Sequence, residues 1–356
     1  MNSYLALAIL ILFAGVLITL PLAPAFAEFH RKSDALPLSV VQKHAGQIRY
    51  FADGFRNYIK AIEPILDQCR TSGAVATGTM PDGVEYLVLG RGEEALVLLP
   101  KPENDVCLVL IAAAADLSLP SQTIFSKDIY ACGRITGGTN NQYRAILGES
   151  DIHLASSSTV MRWVHAAGEV SADAGCGLYG RISSDRGVRL SVRCSFLRLN
   201  APRIELGHAK AGVPAMAVPI PIKTSAGTTP RRLHHGNLEL RPGEIVHGNL
   251  IVRGRLRVGA GARIYGSVKC EKDLFLESDV TIAGSVITTS QMHIGPNCFL
   301  HGPVIAEHAL FVESGTQCGT WNHPTTVSAP HIEAEEGVLI FGTLWAREQG
   351  LVVTRL

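Results

Sequence analysis

Residues 248–319 read GNLIVRGRLRVGAGARIY, GSVKCEKDLFLESDVTIA, GSVITTSQMHIGPNCFLH and GPVIAEHALFVESGTQCG, four segments of 18 residues laid end to end. Each opens with a glycine, Gly248, Gly266, Gly284 or Gly302, then a small or turn-compatible residue, then an aliphatic. Self-similarity at a fixed short period is the signature of a stacked coil, and these glycines are its candidate turns. In the same register stand Leu256, Leu274, Met292 and Leu310, a candidate core stack, with a second file at Val258, Leu276, Ile294 and Val312. Ile264, Ile282, Leu300 and Cys318 make a third. Within a segment the apolar residues come as i,i+2 pairs every six residues, such as Leu250/Val252, Leu256/Val258, Ala262/Ile264 and Val268/Cys270. That spacing makes three short strands per coil, each pointing two side chains inward. One coil cannot bury them, but coils stacked about 4.8 Å apart share a continuous core and satisfy each other's backbone groups. The expected fold is an all-β solenoid, a parallel β-helix with about 18 residues per coil.

The register is interrupted and then recovered. Ile332, Ala334, Val338, Ile340, Gly342 and Leu344 repeat Met292, Ile294, Cys298, Leu300, Gly302 and Val304 at a constant offset, two coils plus four residues. The surplus most simply forms a bulged loop at Trp321-Asn322-His323-Pro324, so Trp321, Asn322 and His323 are the candidate surface-site loop. A regular β-helix is assigned to 236–356. Before it, 208–235 carries Pro214, Pro219, Pro221 and Pro230, which remove ladder donors and mark a linker. Segment 83–207 is irregular and β-rich or β-helical: EYLVLG, EALVLLP and DVCLVLI read as strands, and Ile152/Leu154, Val188/Leu190 and Ile204/Leu206 resemble the inward pairs at uneven intervals.

Tyr4 to Ala27 holds 24 residues without a charge, enough at 1.5 Å per residue to cross a hydrocarbon core of roughly 30 Å, so 1–27 is read as a transmembrane anchor. The rival reading is a cleaved signal peptide, because Ala25-Phe26-Ala27 before Glu28 has the small-x-small form of a processing site. No Lys or Arg precedes the apolar run while His30, Arg31 and Lys32 follow it, which favours an anchor with the main domain in the cytoplasm. Segment 28–82 is read as a juxtamembrane linker containing Pro37 and then a short amphipathic helix of five to six turns, with Ile48, Phe51, Phe55, Ile62 and Leu66 on one face.

Composition narrows function. Among 356 residues, 32 Lys+Arg balance 31 Asp+Glu, which argues against a nucleic-acid coat protein, and 47% hydrophobic content excludes global disorder. Thirty-five glycines and 6% aromatics suit repeated corners and thin aliphatic layers. Eight dispersed cysteines without a CxxC pair give neither a zinc pattern nor a disulfide framework. No phosphate loop, HExxH site or dinucleotide fingerprint occurs, so no catalytic, cofactor-binding or metal residue and no small-molecule substrate is assigned. His165, His247, His301, His308, His323 and His331 remain as candidate bases for an alternative activity, transfer of an acyl group in the manner of hexapeptide-repeat enzymes, with His323 the best placed of them.

With its repeats at Gly248 to Cys318 and the apolar segment before them, the sequence resembles the bactofilins, bacterial polymer-forming cytoskeletal proteins with a β-helical core. The resemblance implies a membrane-associated scaffold that self-assembles end to end, with the bacterial inner membrane and cell-envelope proteins as partners. An uncapped ladder end would be its contact surface, with Leu344, Trp345, Leu351 and Val353 the candidate assembly residues at the C-terminal end; the equally simple alternative caps both ends within the chain, the helix near residue 48 over one and the Gly350-Leu351-Val352-Val353-Thr354 tail over the other. A further alternative is an exported adhesive or cell-wall-associated β-solenoid, periplasmic or beyond, released by cleavage after Ala27.

Overall fold

The computed structural model describes residues 3–22, 49–91, 105–207 and 231–354. The chain divides into two compact units, Met1–Gln47 and Ile48–Leu356. The first contains helix α1, Ser3–Thr19, and a 3-10 turn at Leu20–Leu22. Its 17 residues reach about 26 Å, short of the hydrocarbon core. The helix stops where the Thr19 hydroxyl bonds back to the Gly15 carbonyl (2.8 Å) and Pro21 removes the next donor. No helix among the described residues is long and apolar enough to cross a membrane. This corrects the expected transmembrane helix over 1–27, and with it the single-pass inner-membrane location, the cytoplasmic main domain and the membrane as partner. The Ala27 processing site, the linker around Pro37, the EALVLLP strand and the prolines of the 208–235 linker lie outside the described residues.

The separate amphipathic helix of five to six turns is corrected as well. The segment forms two ten-residue helices, α2 (Tyr50–Ile59) and α3 (Glu63–Ser72), joined by a 3-10 turn at Lys60–Ile62. Pro64 sits in the first turn of α3, where its missing N–H costs no hydrogen bond, and Gly73 closes that helix in the left-handed conformation. Neither helix stands apart from the fold. Phe55, Ile59, Ile62 and Leu66 are buried against Val88, Ala112, Leu147 and Trp163 on the outer face of the β-structure. The fork of Arg56 clamps α2 to Glu149, with Nε to Oε1 at 2.8 Å and Nη2 to Oε2 at 3.1 Å.

The rest is one parallel β-solenoid. From Arg231 to Cys318 each coil contributes three short strands, and each strand pairs in parallel with its counterpart in the next coil. Leu256, Leu274, Met292 and Leu310 stand in register and are fully buried, and Ile332 continues the file. Between Leu310 and Ile332 the step exceeds the coil period by four residues, and the turn at Thr320–His323, closed by two backbone hydrogen bonds of 3.0 and 3.1 Å, takes up the surplus. The glycine file is set by backbone contact: a Cβ at Gly266 would lie 2.1 Å from the Gly248 carbonyl oxygen. A second corner file at Gly243, Gly261, Asp279, Asn297 and Gly315 has positive φ throughout, which explains its confinement to Gly, Asp and Asn.

The same coil is present before residue 207. Gln122, Asn140, Ser157, Gly175 and Arg193 repeat the positive-φ corner, and Ile135, Ile152, Val170, Val188 and Ile204 form one buried inward file. Its periodicity is masked because residues 86–89, Leu110–Ala113 and Ile129–Ala131 are buried on both faces where α2 and α3 cover them. The two sections meet through an antiparallel seam. Strand Ser195–Leu206 pairs with Val338–Val353, with Leu199 opposite Leu344, Asn200 opposite Thr343 and Leu206 opposite Val338. Each section therefore ends against the other, in one continuous sheet.

Candidate functional site

The sequence-predicted residues fall in different parts of this frame. Gly248, Gly266, Gly284 and Gly302 line one edge of the regular coils, and the core stack lies inside. Leu344, Trp345 and Leu351 are laddered to Leu199, Arg198 and Ser195, and Val353 to Glu335, so the coil end nominated for assembly is occupied within the chain. Trp321 is exposed and His323 lies in the tight turn, its ring 5.7 Å from that of His301. Burial, and then the field of His323, pulls the His301 imidazole below its ordinary range. His165 is buried, with Nδ1 2.9 Å from the Ser183 hydroxyl and Nε2 3.9 Å from Asp185. His153 repeats the arrangement one file over, 3.0 Å from Ser171 and 3.4 Å from Asp173. In both, the serine hydroxyl also lies near a backbone carbonyl, Val164 at 3.4 Å or Ile152 at 3.5 Å, farther than the imidazole nitrogen. Among the described residues no cluster of three His, Cys, Asp or Glu side chains is placed to hold a metal.

What the structure does assemble is a groove of about 1090 Å³ between α2 and the outer sheet, crossing the seam. Its floor is the file Trp163, Arg181, Arg198, Trp345, each opposite the next on neighbouring strands. A stacked bulge shapes it: Met161-Arg162 and Tyr179-Gly180 share a register shift relative to the strands on either side, which turns Met161 and Tyr179 out to solvent. Only glycine fits at position 180, since a Cβ on Gly180 would lie 1.8 Å from the Arg162 carbonyl oxygen. The wall is α2, whose Phe51 ring lies 5.0 Å from the Arg181 guanidinium and whose Phe55 packs edge-on against Trp163 at 5.6 Å. Trp345 holds Arg198 in the same way, at 5.0 Å.

The electrostatics are lopsided. Arg144 reaches Asp128 at 3.4 Å, but Arg162, Arg181 and Arg198 have no carboxylate at ion-pair distance among the described residues. Burial, and then the field of Arg181, depress the Arg198 guanidinium, and its Nε is buried without a hydrogen-bond partner. Burial also pushes the Asp128 carboxyl up, against the lowering fields of Arg144 and Arg162. The groove sets two aromatic-backed cations, Arg181 and Arg198, the second with a buried unpartnered donor, beside Arg144 and Arg162 and the carboxylates of Asp53, Asp82 and Asp128, an arrangement able to hold anions. Sequence reasoning missed these cations, although Arg144, Arg162, Arg181 and Arg198 recur at intervals close to the coil period.

Fold and site together define a β-solenoid with a cationic lateral groove, consistent with the general structural class to which the bactofilin resemblance pointed. The chain matches no protein-family model, no curated protein and no solved structure.

Proposed function

We propose that the chain is an exported, cell-envelope-associated β-solenoid scaffold. The observation that carries this reading is the apolar helix that stops at Thr19, followed by Ala25-Phe26-Ala27 and then Glu28. An apolar core and a small-x-small site behind it are two of the features of an export signal. Fractionation with N-terminal sequencing tests it: a mature chain beginning at Glu28 outside the cytoplasm supports export, and a full-length chain retained in the cytoplasm overturns it.

Self-association is a second reading, and one observation favours it. The coil 231–247 pairs on one side only among the described residues, and Leu233 and Ile245 are exposed on it. The seam sets its geometry: with both C-terminal edges consumed, this edge meets its own copy, giving a two-fold dimer in place of a head-to-tail filament. Arg232 and His234 occupy the inward positions that Leu250 and Val252 fill in the next coil, which blunts the edge and keeps the pairing weak. Light scattering across a concentration series tests it: a monomer–dimer equilibrium supports the reading, whereas long polymers contradict it.

A further inference from the structure

We infer that the groove between α2 and the seam is a binding site for an acidic polysaccharide, a glycan chain carrying carboxylates at intervals along an extended backbone. Arg181 and Arg198 face each other on adjacent strands, so two cations stand side by side with no carboxylate between them. Like charges in neighbouring ladder positions are destabilising, and a bound anion removes that penalty. Each guanidinium carbon lies over a ring, Phe51 or Trp345, 5.0 Å from its centroid, a cation–π contact that leaves N–H groups available to a carboxylate. The buried, unpartnered Nε of Arg198 is a donor already out of water and waiting for an acceptor.

Geometry selects a chain over a single small anion. From Trp163 to Trp345 the floor crosses four neighbouring strands, about 14 Å at the ladder spacing, and Arg144 and Arg162 extend the charge beyond it. Exposed Tyr179 and half-exposed Trp345 supply apolar faces between the cations, as a polymer with both charge and C–H surface requires. The carboxylates of Asp53, Asp82 and Asp128 in the lining limit the density of negative charge the groove accepts, which favours a glycan with spaced carboxylates over a nucleic acid with a phosphate at every nucleotide. The choice of a cell-wall glycan as source rests on the export reading, while the preference for carboxylate polymers rests on the groove alone.

The test is calorimetric titration of the purified full-length chain with polygalacturonate oligomers at 50 and 200 mM NaCl, with neutral dextran and single-stranded DNA as parallel arms. Polygalacturonate is expected to bind, more weakly at the higher salt, with dextran silent and DNA at least tenfold weaker. The double variant Arg181→Gln/Arg198→Gln is expected to lose at least tenfold in affinity with its melting temperature held, and Arg257→Gln, which breaks the exposed pair with Glu277 elsewhere on the solenoid, to bind as wild type. Arg198→Lys keeps the charge and loses the fork, and is expected to fall between. Equal affinity of the double variant and wild type, no uronate binding, or DNA binding as tight as uronate overturns the assignment. A cytoplasmic full-length chain whose groove still selects uronate overturns only the export reading.

Discussion

Replacing Leu274 by alanine puts the stacked-coil account at most risk. Leu274 is fully buried, with Leu256 below it and Met292 above it in the ladder. Removing its isobutyl group loses the transfer free energy of the deleted carbons and leaves a void that the ladder above and below cannot close, about 2–5 kcal/mol in total. In a solenoid each coil touches only its neighbours, so the effect is local. Hydrogen exchange read by mass spectrometry should show faster exchange in peptides covering residues 256–310 and unchanged protection in 135–190. Urea denaturation should place the loss of stability in the same range. A loss below about 1 kcal/mol would mean that Leu274 does not point inward, and faster exchange spread evenly through both sections would mean a globular core and not stacked coils.

Three further outcomes follow from the packing and the titrating groups. Gly266→Ala drives a Cβ into the Gly248 carbonyl and should destabilise by about 2–3 kcal/mol in urea, whereas Gly54→Ala in α2, with open space around it, should stabilise by about 0.5–1 kcal/mol. Burial depresses the His165 imidazole, so the unfolded chain takes up its proton first: stability is complete above the ordinary value of 6.5 and is lost as pH falls below it. His165→Gln should flatten that slope in denaturation curves measured from pH 7.5 to about 5, and an unchanged slope would remove His165 as its source. Burial pushes the Cys298 and Cys318 thiols up to about 12 and keeps them inert, so native alkylation at pH 8 should label half-exposed Cys132 first, as peptide mapping would reveal.

The regular coils were legible in the sequence because their constraints are local. A glycine once per coil answers one backbone contact, and an i,i+2 apolar pair answers one inward-facing strand. The first section obeys the same coil, yet Val88, Ala112 and Leu147 face the helices instead of solvent, so the alternation that marks a half-exposed strand is erased there. Its surviving mark was the positive-φ corner, but Gln122, Ser157 and Arg193 hide it, since none is a residue that advertises a left-handed turn. The apolar run over Tyr4 to Ala27 showed hydrophobicity without showing where the helix would stop. The seam was illegible for a different reason: Arg198 and Trp345 lie far apart in the chain, and no periodicity relates two sections that meet antiparallel. The groove inherits that difficulty, because its floor draws on both sections.

Both the groove and the proposed two-fold assembly depend on the seam. Asn200 lies opposite Thr343 across it, with the Asn200 Nδ2 donating to the Thr343 Oγ1 at 2.8 Å. Opposed residues of an antiparallel pair have Cα atoms about 4.5–5.5 Å apart, within disulfide range. The double variant Asn200→Cys/Thr343→Cys, mildly oxidised and digested without reduction, should yield one cross-linked peptide pair, and Asn200→Cys with Thr281→Cys, in the middle of the regular section, should yield none. No cross-link in the first variant, or equal cross-linking in both, would contradict the joining of the two sections.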